Sequence, residues 1–143
     1  MKIALIVGAG PGISIAFARK LAVEGFKVCL ASRNLENLSK LAATVEGSVI
    51  FDVDCANNES ILSLFQKFDE KFDKTPPSVV LYNTSAGFAL AGDCGSEATA
   101  NYSAVASALQ VSAIGVIYSQ YVHTHLTIST NLLIGICHCS RGG

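Results

Sequence analysis

Short apolar runs alternate with longer amphipathic stretches along this chain. The runs occupy residues 2–7, 27–32, 48–54, 78–83 and 131–137, and each is short and continuous enough to form a strand buried on both faces. Between them, segments 14–26, 35–46, 58–72 and 101–121 are expected to be helical. In the second of these helices, the expected inward residues are Leu35, Leu38, Leu41 and Ala42. The alternation predicts an α/β, doubly wound parallel sheet of about five strands, with helices on both faces and a single domain over residues 1–143.

The overall charge balance excludes some classes of partner. The formal net charge is −1 and charged residues make up 15% of the chain, so no excess of positive charge is present to attract a phosphate backbone. We therefore expect no nucleic-acid partner. The first apolar run is broken after Val7 by glycine and proline, which is unlike a signal peptide. This pattern favours a cytoplasmic protein.

The final third of the chain is almost free of charge. Every charged residue except Arg141 lies at or before Glu97. The segment 101–121 could therefore be a membrane span, a buried helix or an interface. Polar residues such as Gln110 and Ser112 interrupt its apolar stretches, and no clean run of membrane-spanning length remains. We expect no membrane insertion, and we expect this helix to pack against protein, with a homo-oligomer as one arrangement.

The five cysteines are an odd number in a chain that is large enough to need no disulfides. We expect all of them to be thiols. A zinc site in the tail was considered, with the candidate ligands His123, His125, Cys137, His138 and Cys139. The two cysteines are too close in sequence for the common zinc-binding spacing, and no second pair follows them. The sequence predicts no metal site.

A glycine-rich turn connects the first strand to the first helix. Such a turn is an anion site, because the unpaired amides of the first helical turn and the helix dipole point towards the loop. The spacing G-x-G-x-x-G begins with Gly8 and Gly10 but fails at Ile13, where the third glycine would stand. The spacing that fits is G-x-x-x-G-x-G, with Gly8, Gly12 and Ser14 in its three slots. This stretch is predicted to hold phosphate.

This turn resembles that of the short-chain dehydrogenase/reductase family, T-G-x-x-x-G-x-G, with Val7 replacing the threonine and Ser14 the last glycine. The resemblance implies a Rossmann-like fold and a nicotinamide dinucleotide bound by Gly8, Gly10, Gly12 and Ile13. After the second strand, where NAD-preferring members carry an acidic residue, this chain has Ser32 and Arg33. A hydroxyl and a guanidinium suit a 2′-phosphate, so the expected cofactor is NADP.

Two further segments continue the resemblance. Asp52 and Val53 match the adenine pocket of the family, in which a carboxylate accepts from the adenine amino group beside an apolar wall. Tyr82, Asn83, Thr84 and Ser85 occupy the slots of the family's N-N-A-G segment. The resemblance implies that Asn83 helps to fix the central strands and that the small residues after it leave room beside the nicotinamide ribose. The matches cover roughly residues 1–90 and lie at strand ends, where open parallel sheets bind ligands.

The catalytic part of the family pattern is not found. The family handles its proton with a serine, a tyrosine and a lysine, the last two spaced Y-x-x-x-K on one helical face. Here the last lysine is Lys74 and precedes every tyrosine. Ser112 stands where the family has an asparagine that anchors a water relay, and Ser140 is either a remnant of the serine segment or, as we expect, a terminal residue without this role. We therefore leave the catalytic residues unassigned and expect a chain that is incomplete relative to the family fold.

The resemblance implies an NADP(H)-binding protein descended from an oxidoreductase that moves hydride between NADP and a carbonyl or alcohol. Without the tyrosine and lysine, we expect it to be inactive as this chain. The alternative is a noncatalytic nucleotide-binding or dimerisation module that pairs with a full-length homologue through residues 101–121.

Overall fold

The computed structural model describes residues 1–84 and the backbone of residues 132–135. The strands are β1 (Ile3–Val7), β2 (Lys27–Ser32), β3 (Val49–Asp52), β4 (Val79–Tyr82) and β5 (Leu132–Gly135). The helices described are α1 (Ile13–Val23), α2 (Leu35–Ala42) and α3 (Asn58–Lys71). Each element lies within the segment predicted for it, except that α1 begins one residue earlier.

The strands form one parallel sheet in the order β3-β2-β1-β4-β5. β1 lies at its centre, where Leu5 is opposite Cys29 of β2 on one side and Val80 of β4 on the other. The chain moves outward from β1 to β3 and then crosses back to form β4. The carboxyl ends of β1 and β4 lie side by side at this reversal of strand order, which is where open parallel sheets bind ligands.

Helices cover both faces of the sheet. On one face, Leu64 and Phe68 of α3 are fully buried against Leu5 and the side chains around it. On the other face, Ala18 of α1 and Leu38 of α2 are buried against the alternate residues of β1 and β2. The strands are therefore apolar on both sides, which explains their continuous apolar runs. The predicted doubly wound α/β sheet is confirmed.

Asparagine side chains begin two of the helices. The Asn34 side chain accepts a hydrogen bond from the Asn37 amide at 3.0 Å and so caps α2. Asn57 does the same for α3, accepting from the amides of Glu59 at 2.8 Å and Ser60 at 3.3 Å. Each cap satisfies amide groups that have no partner inside the helix.

One predicted core position is wrong. We expected Leu35 to face inward, but this residue is 43% exposed, whereas Leu38 on the same helix is 1% exposed. Leu35 is the first residue of α2. Helical side chains lean towards the amino end of their helix, so a residue in this position extends past the end of the packed face.

The predicted helix 101–121 and the five candidate zinc ligands of the tail lie outside the described residues, as do Ser85, Ser112 and Ser140. Within residues 1–84 and 132–135, no helix combines the length and the hydropathy needed to cross a bilayer.

Phe68 of α3 packs against two other phenylalanine rings in the core. The Phe68 ring lies 4.8 Å from that of Phe72 and 6.1 Å from that of Phe51, measured between ring centroids. Phe68→Ala should lower the free energy of unfolding by about 3–5 kcal/mol, because it leaves a cavity in the core. Urea denaturation measures the change. Gln66→Ala, at an exposed position of the same helix, is the control and should change stability by less than about 0.5 kcal/mol. Equal effects of the two substitutions would contradict the assigned core.

Candidate functional site

The turn after β1 lies against the backbone that follows β4. Gly8 has a φ of 80°, a backbone conformation that residues with a side chain rarely adopt. A Cβ added to Gly8 would overlap the carbonyl oxygen of Asn83 and lie 2.6 Å from its carbonyl carbon and 2.8 Å from Cγ2 of Thr84. The Asn83 amide donates to the carbonyl of Val7 at 2.8 Å, which fixes this approach. Position 8 therefore requires glycine for two separate reasons.

The first amides of the turn are not available to a ligand. The amides of Gly8 and Ala9 both donate to the carbonyl of Ala31, each at 2.9 Å. They bind the turn to the end of β2. Any phosphate held by backbone amides must therefore be bound further along, at the first turn of α1.

Helix α1 begins differently from the other two described helices. Gly12 occupies its N-cap position with a φ of 96°, and no side chain among the described residues caps the amides that follow. No acidic residue lies in its first turn, whereas Glu36 and Glu59 lie in the first turns of α2 and α3. A Cβ at Gly12 would meet no atom of the described residues within 4 Å, so nothing within residues 1–84 crowds this end of the helix. The positive end of this helix dipole is left for an external anion.

Ser14 joins the two sides of the crevice. Its hydroxyl donates to the carbonyl of Gly8 at 3.2 Å and accepts from Nδ2 of Asn83 at 2.6 Å. The residue is buried, at 1% exposure. In the sequence, Ser14 stands out only as a departure from the family's glycine. Its hydrogen-bond partner, Asn83, is 69 positions away in the sequence. The one sequence signal for this contact was a hydroxyl in place of the expected glycine.

A cleft of about 220 Å³ lies at the carboxyl ends of the first four strands. Its lining residues are Gly8, Ala9, Ser32, Arg33, Asn34, Val53, Asp54, Cys55, Asn83 and Thr84. Of the predicted cofactor residues, this cleft brings together Gly8, Ser32, Arg33, Val53 and Asn83. Gly10, Gly12 and Ile13 lie in the adjoining turn and helix start, where Ile13 is 55% exposed.

Asp52 lines a second cleft, of about 290 Å³, together with Arg33, Val53, Asp54 and Ser60. The two clefts share Arg33, Val53 and Asp54, so they adjoin around the ends of β2 and β3. The predicted adenine residue and the predicted 2′-phosphate residue therefore lie together.

The Asp52 carboxylate has a protein partner. Nζ of Lys67 lies 2.8 Å from its Oδ1, and both side chains are about half exposed. The hydrogen bond and charge of Lys67 lower the pKa of Asp52 below its ordinary value. The carboxylate is consequently ionised at neutral pH, and sequence reasoning did not anticipate its partner on α3.

Cys55 forms part of the cleft wall but is a poor nucleophile. Burial raises the pKa of its thiol, and a hydrogen bond with Tyr82 only partly offsets this. Cys29, buried in β2, has its pKa raised to about 12 by burial. Both thiols are protonated at neutral pH, because each pKa lies above the ordinary cysteine range. Neither residue is suited to covalent chemistry in this form.

The sequence as a whole matches the family described as short chain dehydrogenase over residues 2–126. This match covers most of the chain, and the turn and cleft lie inside it. The protein belongs to the short-chain dehydrogenase family. The resemblance inferred from the glycine turn is therefore confirmed.

Curated relatives are similar to the amino-terminal part of the chain. A probable 2,4-dienoyl-CoA reductase 3 of Caenorhabditis elegans is 34% identical over 91 residues, which is 60% of this chain and 29% of that protein. Dehydrogenase/reductase SDR family member 11 of Gallus gallus is 39% identical over 70 residues, 45% of this chain and 28% of that protein. The chain thus spans less than a third of the length of these relatives.

Solved structures share the fold. An alcohol dehydrogenase from the archaeon Thermococcus sibiricus, complexed with 5-hydroxy-NADP, aligns with a TM-score of 0.72 and 26% identity, covering 87% of this chain and 52% of that one. A metagenomic short-chain oxidoreductase in complex with NADP aligns with a TM-score of 0.74 and 19% identity, covering 87% of this chain and 55% of that one. An NADH-dependent reductase complexed with NAD aligns with a TM-score of 0.64 and 24% identity, covering 85% of this chain and 50% of that one.

Gly8 and Gly47 provide a matched test of the crowded turn. Both have positive φ, 80° and 68°, but a Cβ on Gly47 would meet only the end of the Lys27 side chain at 3.8 Å. Gly47→Ala should lower the free energy of unfolding by about 1–2 kcal/mol, the cost of the backbone conformation alone. Gly8→Ala should cost at least about 2 kcal/mol more, because the backbone of Asn83 must move as well. Urea denaturation compares the two, and equal losses would show that the close approach is absent.

Proposed function

We propose that this protein binds NADP(H) in the crevice between the β1 turn and the end of β4. The observation that carries the proposal is the uncapped start of α1 beside an open cleft, in contrast to the asparagine caps of α2 and α3. A pyrophosphate would satisfy the amides of this first turn and interact favourably with the helix dipole. Gly10, Gly12 and Ile13 would hold it through the backbone.

The adenosine half of the dinucleotide would extend towards the ends of β2 and β3. There Val53 and Asp52 would flank the adenine, and Ser32 and Arg33 would meet the 2′-phosphate of the ribose. Arg33 takes part in none of the ion pairs found among residues 1–84, so its guanidinium is free of a described carboxylate. Charge-assisted hydrogen bonds from a guanidinium to a phosphate are among the strongest in proteins.

The nicotinamide end would lie near Asn83. Its side chain is held by Ser14, so its position is set before a ligand arrives. Ser85, the next predicted cofactor residue in the sequence, lies outside the described residues. Neighbouring structures carry NADP in one case and NAD in another, which supports a nicotinamide dinucleotide in general. The preference for NADP rests on Ser32 and Arg33.

We further propose that this polypeptide binds the cofactor without catalysing hydride transfer. The sequence contains no tyrosine followed four positions later by lysine, the pair that handles the proton in this family. A noncatalytic role as a module that pairs with a full-length homologue is the second candidate. It is favoured by the uncharged segment 101–121, which would leave an apolar surface to be covered by protein.

Arg33 provides the test of cofactor preference. Arg33→Leu should weaken NADPH binding by at least about tenfold, since it removes a charge-assisted contact to the 2′-phosphate, and should change NADH binding little. Fluorescence titration of both dinucleotides measures the two dissociation constants. Arg19→Leu is the control, because Arg19 lies on α1 and donates to Thr44, away from the crevice. A wild-type preference for NADH would contradict the proposed role of Arg33.

An activity assay tests the proposed lack of catalysis. The 143-residue chain should bind NADPH in the titration but should not oxidise it with a panel of aldehydes and ketones. Size-exclusion chromatography of the same sample tests the pairing role, for which a clean monomer would be the contrary result. Turnover above the background rate would show that other residues supply the proton.

A further inference from the structure

The ion pair between Lys67 and Asp52 joins two layers of the fold. Asp52 ends β3, the strand at the edge of the sheet, and its neighbours Phe51 and Val53 point into the core beneath α3. Strand alternation therefore turns Asp52 towards the opposite face. Lys67 belongs to α3 and reaches around the open edge of the sheet to lie 2.8 Å from the carboxylate.

This carboxylate lies next to the proposed phosphate site. In the register of the sheet, Asp52 is the direct partner of Ser32 on β2. Adjacent strands are about 5 Å apart, so the two side chains leave neighbouring strands side by side. Asp52 also lines the same cleft as Arg33. A negative charge is thus built into the surroundings of the two residues that would bind a 2′-phosphate.

Without a positive partner, the Asp52 carboxylate would repel a phosphate that binds beside Ser32 and Arg33. Among the described residues, the lining of this cleft and the ion pair with Lys67 bring four charged groups together: Arg33, Asp52, Asp54 and Lys67. With Lys67 present, the two positive and two negative side chains balance. Without it, the group has a net negative charge and would favour a ribose with a free hydroxyl over a phosphorylated one.

We propose that Lys67 is a specificity-determining residue, which favours a 2′-phosphorylated dinucleotide by neutralising Asp52 from across the edge of the sheet. This inference rests on the proposed function, because it requires the adenosine half to bind beside Ser32 and Arg33. Lys67 acts through Asp52 and does not itself need to contact the ligand.

The experiment measures dissociation constants of NADPH and NADH for the wild-type chain and for Lys67→Met. The ratio of NADH to NADPH dissociation constants should fall by about two- to fivefold in Lys67→Met, the range expected for one exposed charge pair in moderate salt. Raising the ionic strength to about 1 M should remove most of this difference between the proteins, because the charges are then screened.

Three variants separate charge from structure. Lys67→Arg keeps the positive charge and should keep the wild-type ratio. Lys71→Met removes an exposed lysine one helical turn further along α3 and should leave the ratio unchanged. Asp52→Asn removes the negative charge and should raise the ratio, the opposite direction from Lys67→Met. Thermal melts of all four variants check that each remains folded.

Each outcome has a definite meaning. An unchanged ratio in Lys67→Met, or an equal loss of affinity for both dinucleotides, would overturn the role of Lys67 while leaving the proposed cofactor site intact. A wild-type chain that binds neither dinucleotide would overturn the proposed function, and this inference with it. A lowered ratio that Lys67→Arg restores would support both.

Discussion

The contact between Gly8 and the backbone of Asn83 determines the geometry of the whole site. It brings the turn after the central strand against the end of the neighbouring strand, at the point where strand order reverses. The cleft is lined by residues that follow β1, β2, β3 and β4, Gly8 and Asn83 among them. A side chain at position 8 would push the strands apart and displace the start of α1. The position of the amino end of α1 therefore depends on glycine at position 8.

Ser14 strengthens the same junction in a way that a glycine could not. Its hydroxyl accepts from Asn83 and donates to Gly8, so that one buried side chain links the turn, the helix and β4. Buried polar groups are stabilising only when they are paired, and this one is paired twice. The departure from the family spacing is thus compatible with a closed, ordered turn.

Much of the fold could be predicted from local sequence, because buried parallel strands and amphipathic helices leave strong periodic patterns. The continuous apolar run 2–7 and the amphipathic stretch 58–72 each located an element correctly. Leu35 was placed wrongly because periodicity cannot show where a helix stops packing on its sheet. The pairs Ser14–Asn83 and Lys67–Asp52 were not predicted, since each joins residues that only the folded chain brings together. Spacing identified Gly8 and Gly12, but it could not show that the amides of Gly8 and Ala9 are already bound to Ala31.

The central position of β1 in the sheet also affects how the chain folds. β1 must be covered on both sides, yet its second neighbour, β4, begins only at Val79, after two other strands and three helices. Until that residue has been synthesised, one edge of β1 has no partner and its apolar faces are incompletely packed. Pairing across such sequence separation is slow, and exposed strand edges promote aggregation. A chain in which β4 has not yet paired with β1 is therefore the form most exposed to aggregation.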